Sequence, residues 1–180
     1  MPINKNWPIL EFDLEVYARN ISYLAHLGQT RKNGFTPYIE HPKGVVAILS
    51  TVPCTKEMRA AAWLHDVVED CDISLEDLRY RFLFPEPVVE MVDELTSKED
   101  CKRLRTPRKV LEAIRLSTVS KESKTIKLAD VIYNMQDLEG LPPEFRERFM
   151  EEKKMLLPFL EGGDLVLMYR ANKIIEDYFQ

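Results

Sequence analysis

The sequence predicts an all-α fold, a compact bundle of eight or nine helices. Apolar residues recur three and four apart through most of the chain, as helical stripes do. Few segments show the strict alternation of a half-buried strand. Capping residues and Pro or Gly breaks fall between the periodic stretches.

Taken in order, Glu11 to Leu27 carries Leu14, Ala18, Ile21, Leu24 and Ala25 on one stripe, and Gly28 stops it. Gln29 to Pro37 is a polar, basic loop with an Asn33-Gly34 turn signal. Pro42 sits near the start of a second helix that runs to about Ser50. Thr55 is placed to cap a third helix at Met58, and that helix continues through His65 and Asp66. Ser74 and Asp77 have the spacing of a capping box and open a fourth. Pro87 to Leu95 is a fifth, Lys98 to Pro107 a charged connection, and Val110 to Leu116 part of a sixth. Ser120 to Asp137 carries the seventh, with Ile126, Ala129, Ile132 and Tyr133 spaced for burial. Pro142-Pro143 breaks the chain before Glu144 to Leu160 and Asp164 to Phe179, which Gly162-Gly163 separates. No repeat or long linker divides the 180 residues, so a single domain over 1–180 is expected.

Composition narrows the function. The net charge of −5 argues against a general nucleic-acid surface, which needs Lys and Arg to neutralise phosphates. Any anionic ligand then needs a local basic cluster or a metal. Cys54, Cys71 and Cys101 are odd in number and far apart, which fits a reducing cytosol better than a disulfide framework. No apolar run approaches the ~20 residues of a membrane span, and Met1 to Pro8 lacks the regions of a signal peptide.

The chemistry concentrates in Ala61 to Asp70, where His65-Asp66 and Glu69-Asp70 stand in an apolar, alanine-rich run. Buried charges of this kind pair with each other or bind metal. In a continuous helix Glu69 lies one turn above His65 and Asp70 one turn above Asp66. His41, His65, Asp66 and Asp130, the last in an apolar helical setting, make a two-imidazole, two-carboxylate set. Mixed nitrogen and oxygen donors suit Mn²⁺ first, with Fe²⁺, Co²⁺ or Zn²⁺ as alternatives. Glu69 is then the nearby acid or base, and Asp70 an orienting carboxylate.

Three extended motifs carry a family resemblance: Ala25 to Gly34 with Pro37 to Pro42, then His65 to Asp70, then Lys127 to Met135. In order and spacing they resemble the HD-domain metal-dependent phosphohydrolases. Within these they are most similar to the SpoT-like hydrolases of guanosine tetra- and pentaphosphate, and to the stand-alone small alarmone hydrolases of that group. The resemblance implies an HD-domain helical bundle, with His41, His65, Asp66 and Asp130 as metal ligands and Glu69 and Asp70 as the catalytic acids. It places Arg31 against the purine and Lys32 near phosphates, with Asn134 as a ribose or phosphate contact. Asp137 fits the short branch and joins the substrate-binding set. The implied reaction is attack of activated water on the 3′-linked phosphate, giving pyrophosphate and GDP or GTP.

Other readings of the same residues stay open. Another nucleotide, NADPH or a nucleoside 5′-phosphate, suits the metal chemistry, and so does a regulator that binds nucleotide without turnover. Arg31-Lys32 also reads as a solvated loop pair, and Asn134 as a helix bridge. His26 reads as a packing residue, Trp63 as core and Cys71 as a small buried residue or an oxidation sensor. Lys102, Arg103, Arg105, Arg108 and Lys109 form either a solvated face or a phosphate-facing rim. Val131 stands where the family usually has Arg or Lys, which implies one basic contact fewer at the site. The sequence leaves oligomerisation open.

Overall fold

The computed structural model describes residues 13–98 and 104–180. Nine α-helices and no strand occur among the described residues. The first, α1 (Leu14–Ala25), starts at Asp13, whose carboxylate accepts from the N–H groups of Glu15 and Val16 at 3.0 and 3.1 Å. The helix expected from Glu11 therefore begins later; Glu11 and Phe12, like Met1 to Pro8, lie outside the described residues. Helix α2 (Glu40–Leu49) carries Pro42 in its first turn, where a missing N–H costs nothing.

Thr55 caps α3 (Lys56–Leu64) by accepting from the Met58 N–H at 3.2 Å. This helix stops at His65, and a separate single turn, α4 (Val67–Asp70), begins at Asp66. The continuous helix read from the sequence is thus broken at the His-Asp pair. Ser74 and Asp77 do form the reciprocal pair, with the Asp77 N–H on Ser74 Oγ at 3.0 Å and the Ser74 N–H on the Asp77 carboxylate at 3.0 Å. The segment they open, Asp77–Arg81, is a wide π-type turn.

Helix α5 (Glu86–Leu95) is followed by α6 (Arg105–Ser117), which takes in Arg105 to Pro107 of the expected connection because Pro107 fits its first turn. Of the charged connection before it, Glu99 to Arg103, Cys101 included, lie outside the described residues. Ser120 caps α7 (Lys121–Gln136), and α8 (Pro143–Leu156) tightens into a 3₁₀ turn, Leu157–Leu160, where Pro158 interrupts the N–H ladder. Asp164 caps α9 (Leu165–Phe179).

Helix α7 is the axis of the bundle. Ile126, Leu128, Ala129, Val131, Ile132 and Met135 are all buried, so apolar residues occupy nearly its whole circumference, as in a helix walled in by others. It packs against α2 on one side and α9 on another, while α3 lies between α1 and α5. The small residues Ala60, Ala61 and Ala62 of α3 and Ala18 of α1 are fully buried and let their backbones approach. Trp63 is core as expected.

Gly44 marks a close contact between α2 and α7. A Cβ there would lie 1.9 Å from the Tyr133 ring. Gly44→Ala is expected to destabilise the fold by roughly 1–3 kcal/mol through overpacking. A lowered thermal midpoint checks this, and an unchanged midpoint contradicts the packing described.

Candidate active site

The loop after α1 is held in one shape by its own polar residues. The Arg31 N–H donates to the Thr36 carbonyl at 2.8 Å and the Tyr38 N–H to the Gln29 carbonyl at 3.0 Å, closing a small clip. Asn33 Oδ1 accepts from the N–H groups of Phe35 and Thr36, and Gly34 turns the chain with φ +82°. The clip aims Arg31 inward and delivers Tyr38 and His41 to the mouth of α2.

Arg31 is gripped from α7 and its end. Its Nε donates to Asp137 at 2.9 Å and a terminal N–H to Asn134 Oδ1 at 2.8 Å. Its guanidinium lies 5.6 and 5.7 Å from the centres of the Tyr38 and Tyr133 rings. Asn134 in turn donates to Asp130 Oδ1 at 2.5 Å, so one chain of hydrogen bonds runs from Arg31 to the buried carboxylate.

Four donor groups converge at the base of this cavity. His41 Nε2 and His65 Nε2 are 3.1 Å apart. Asp66 Oδ2 is 3.2 Å from each of them, and Asp130 Oδ1 is 3.3 Å from His41 and 3.9 Å from His65. The break between α3 and α4 brings this about: neighbours within one helix would diverge by ~100°, whereas here His65 and Asp66 reach one point. His41, His65 and Asp130 are all under 5% exposed.

The set fits a divalent ion. His65 Nδ1 must donate to the Ala62 carbonyl, 2.8 Å away, which leaves Nε2 as the atom that faces His41 and is available to an ion. His41 Nδ1 is buried without a hydrogen-bond partner. Ligands about 2.1 Å from one ion in a near-octahedral shell lie about 3 Å from each other, close to the spacings found. His41, His65 and Asp66 together form a metal-compatible cluster.

The electrostatics agree with this arrangement. Burial alone pulls the His65 imidazole down, but Asp66 and Asp130 outweigh it and raise its pKa to about 9. Burial would raise the two aspartates, yet both are held well below the usual carboxylate range, Asp66 by His65 and His41, Asp130 by Lys127 and the histidines. Lys127 Nζ is 2.8 Å from Asp130 Oδ2, an ion pair that overcomes burial and raises the lysine. Glu69 behaves differently. Partial burial raises its carboxyl, and nearby Asp66 and Asp70 add to this against the hydrogen bond from the Ser97 N–H.

The ten residues named from the sequence as ligands, catalytic acids or substrate contacts meet here. Arg31, Lys32, His41, Asp66, Glu69, Asp70, Asp130, Asn134 and Asp137 line one cavity of about 430 Å³, and His65 backs it. Sequence reasoning assigned no role to Tyr38 or Lys127. The Tyr38 hydroxyl lies 2.7 Å from Asp66 Oδ2 and 2.8 Å from Asp70 Oδ2, tying a candidate ligand to a candidate acid. Position was the available signal: each stands three residues before a ligand candidate, Tyr38 before His41 and Lys127 before Asp130. Lys153, Phe145 and Phe149 of α8 complete the wall.

The remaining residues take definite places. Val131 is fully buried in the core and does not line the cavity. Cys71 is half-buried, with its Sγ 3.3 Å from His26 Nδ1, and burial raises its thiol. Of the basic run, Lys102 and Arg103 lie outside the described residues, Arg105 pairs with Glu152 at 2.6 Å, and Arg108 and Lys109 face an adjoining hollow. His26 is a packing residue: it is buried, stacks on Tyr38 and bonds Gln29.

Comparison with known proteins places this geometry. An HD-domain family model matches residues 18–157. The Drosophila melanogaster guanosine-3′,5′-bis(diphosphate) 3′-pyrophosphohydrolase MESH1 is 34% identical over 157 residues, covering 83% of this chain and 86% of that protein. A probable guanosine-3′,5′-bis(diphosphate) 3′-pyrophosphohydrolase of Synechocystis is 36% identical over 137 residues, 74% of this chain; the chain spans only 18% of that longer relative. A solved structure described as a metazoan ortholog of SpoT that hydrolyses ppGpp superposes with a TM-score of 0.81 and 28% identity, covering 96% of this chain and 98% of that one. With its three motifs folded into one donor cluster, the chain belongs to the HD-domain family, among its MESH1- and SpoT-like members.

Proposed function

We propose that this chain hydrolyses the 3′-diphosphate of guanosine tetra- or pentaphosphate, releasing pyrophosphate and GDP or GTP. One observation carries the reading: four nitrogen and oxygen donors, with His41 Nε2 3.1–3.3 Å from the other three, converge at the base of a cavity in which Arg31 is held beside two tyrosine rings. Relatives named for that activity support it.

His41, His65, Asp66 and Asp130 would hold the ion, with Mn²⁺ the first choice for a mixed imidazole and carboxylate set. When bound, such an ion lowers the pKa of water and polarises a phosphoryl oxygen. The protein's own groups do the rest. Glu69, its carboxyl raised, exchanges the proton of the attacking water. Asp70, fixed by the Tyr38 hydroxyl, orients that water. Arg31 offers its flat guanidinium to the purine, and Asp137 holds it there. Lys32, whose Nζ lies over the Phe145 ring at 4.9 Å, meets phosphate at the cavity mouth, and Asn134 meets the ribose.

The test is product analysis after incubation with Mn²⁺ and a nucleotide panel. Pyrophosphate and GDP from guanosine tetraphosphate support the reading. Orthophosphate from NADPH or a nucleoside 5′-phosphate alone, or binding without cleavage, overturns it. Arg31→Ala is expected to raise KM about tenfold with kcat changed far less, since the contact is made equally before and during reaction. Steady-state kinetics checks this, and a fall confined to kcat contradicts the binding role.

A further inference from the structure

The cavity continues past Glu69. A second hollow of about 500 Å³ shares Glu69, Lys127 and Lys153 with the first, and its far wall includes Arg108 and Lys109 of α6. The function proposed above makes no use of this hollow.

Its charges are unbalanced. Glu152 on its wall is engaged by Arg105 at 2.6 and 2.9 Å, and Glu112 by Arg115 at 3.0 and 2.7 Å. Lys127 is committed to Asp130. Among the described residues, neither Lys109 nor Lys153 has a carboxylate within ion-pair distance. Burial lowers both ammonium groups, Lys153 to about 8, and the charge of Lys127 adds to the effect in each. Cations desolvated together are relieved by a shared anion, and phosphate oxygens accept from several at once.

The layout also gives an order along the path. Arg31 stands at one end, the donor cluster in the middle, and Lys109 beyond the Glu69, Lys127 and Lys153 partition. Arg31 and Lys32 line only the first cavity, and Arg108 and Lys109 only the second. Two separate basic lobes suit a ligand with phosphates at two separate points.

The geometry points to the second hollow as the seat of the distal phosphate of a diphosphate at the reacting position. The site thereby selects a 3′-diphosphate over a 3′-monophosphate. This rests on the hydrolase reading of the first cavity. In that reaction the water oxygen bonds to the phosphorus nearest the ribose, the bond from that phosphorus to the 3′-oxygen breaks, and the 3′-oxygen takes a proton from the water. Pyrophosphate leaves intact, its distal phosphate on Lys109 and Lys153 throughout.

The experiment compares guanosine 3′,5′-bis(diphosphate) with guanosine 5′-diphosphate 3′-monophosphate on Mn²⁺-loaded protein. Lys109→Ala should lower kcat/KM for the first about tenfold, the scale of one charge-assisted hydrogen bond. It should leave the second within about twofold, and Lys109→Arg should restore most of the loss. If the monophosphate is not turned over, its inhibition constant serves in place of kcat/KM. An equal loss on both compounds puts Lys109 on the 5′-phosphates and overturns the proposal, as does no loss on either. If wild-type protein cleaves neither, the hydrolase reading fails by itself, and calorimetry with inorganic pyrophosphate and inorganic phosphate then decides. Pyrophosphate binding that weakens about tenfold in Lys109→Ala, with phosphate unaffected, keeps the hollow as a diphosphate seat. Identical binding by both proteins ends it.

Discussion

His65→Ala is expected to abolish metal binding and reduce turnover by about a thousandfold or more, because an ion held here would supply both the activated water and the charge stabilisation. The imidazole is anchored on the Ala62 carbonyl at one nitrogen and contributes the other to the cluster. Its removal leaves His41, Asp66 and Asp130 with too few donors and with a gap where the ring stood. Metal content after gel filtration checks the first half, and single-turnover rates the second. The fold should survive, since the ring sits at the end of α3 and not within it. A His65→Ala protein that kept a full complement of ion would show that the converging side chains are not its ligands.

Glu69→Gln should separate binding from chemistry. Glu69 lies beside the cluster but bonds the Ser97 N–H, and its carboxyl is raised by partial burial next to Asp66 and Asp70. The amide can keep that hydrogen bond but cannot exchange a proton. Metal content should stay at the wild-type level while kcat falls about 10²–10⁴-fold, the usual scale for a lost general acid or base. KM should move little. Equal metal loss in the His65 and Glu69 variants would refute this division of labour.

The contrast between these variants reflects what the sequence made legible. Local signals were readable because they act within a few residues. Thr55, Ser74 with Asp77, and the Asn33-Gly34 turn all do what their chemistry dictates. The convergence of His41, His65, Asp66 and Asp130 was readable because a buried Asp is rare and usually paired, and three extended motifs carried these residues in register. The break at His65-Asp66 was not readable: no Gly or Pro marks it, and the alanine run before it favours helix. It is imposed by what the two side chains meet across the bundle. The same holds for Tyr38 and for the split between Arg105, which pairs with Glu152, and Lys109, which does not. Such pairings join residues far apart in the chain, and a run of like charges says nothing of which members find a partner.

The chemistry of the four donors acts as a filter. Two imidazole nitrogens and two carboxylates converge, with His41 Nε2 3.1–3.3 Å from the other three donors and Asp130 Oδ1 3.9 Å from His65 Nε2, braced by Tyr38, Lys127, Asn134 and the Ala62 carbonyl. Calcium favours six to eight oxygens and would have to accept two nitrogens in their place. The expected preference is for a transition ion, set by ligand type rather than by size, which would put an abundant competitor at a disadvantage.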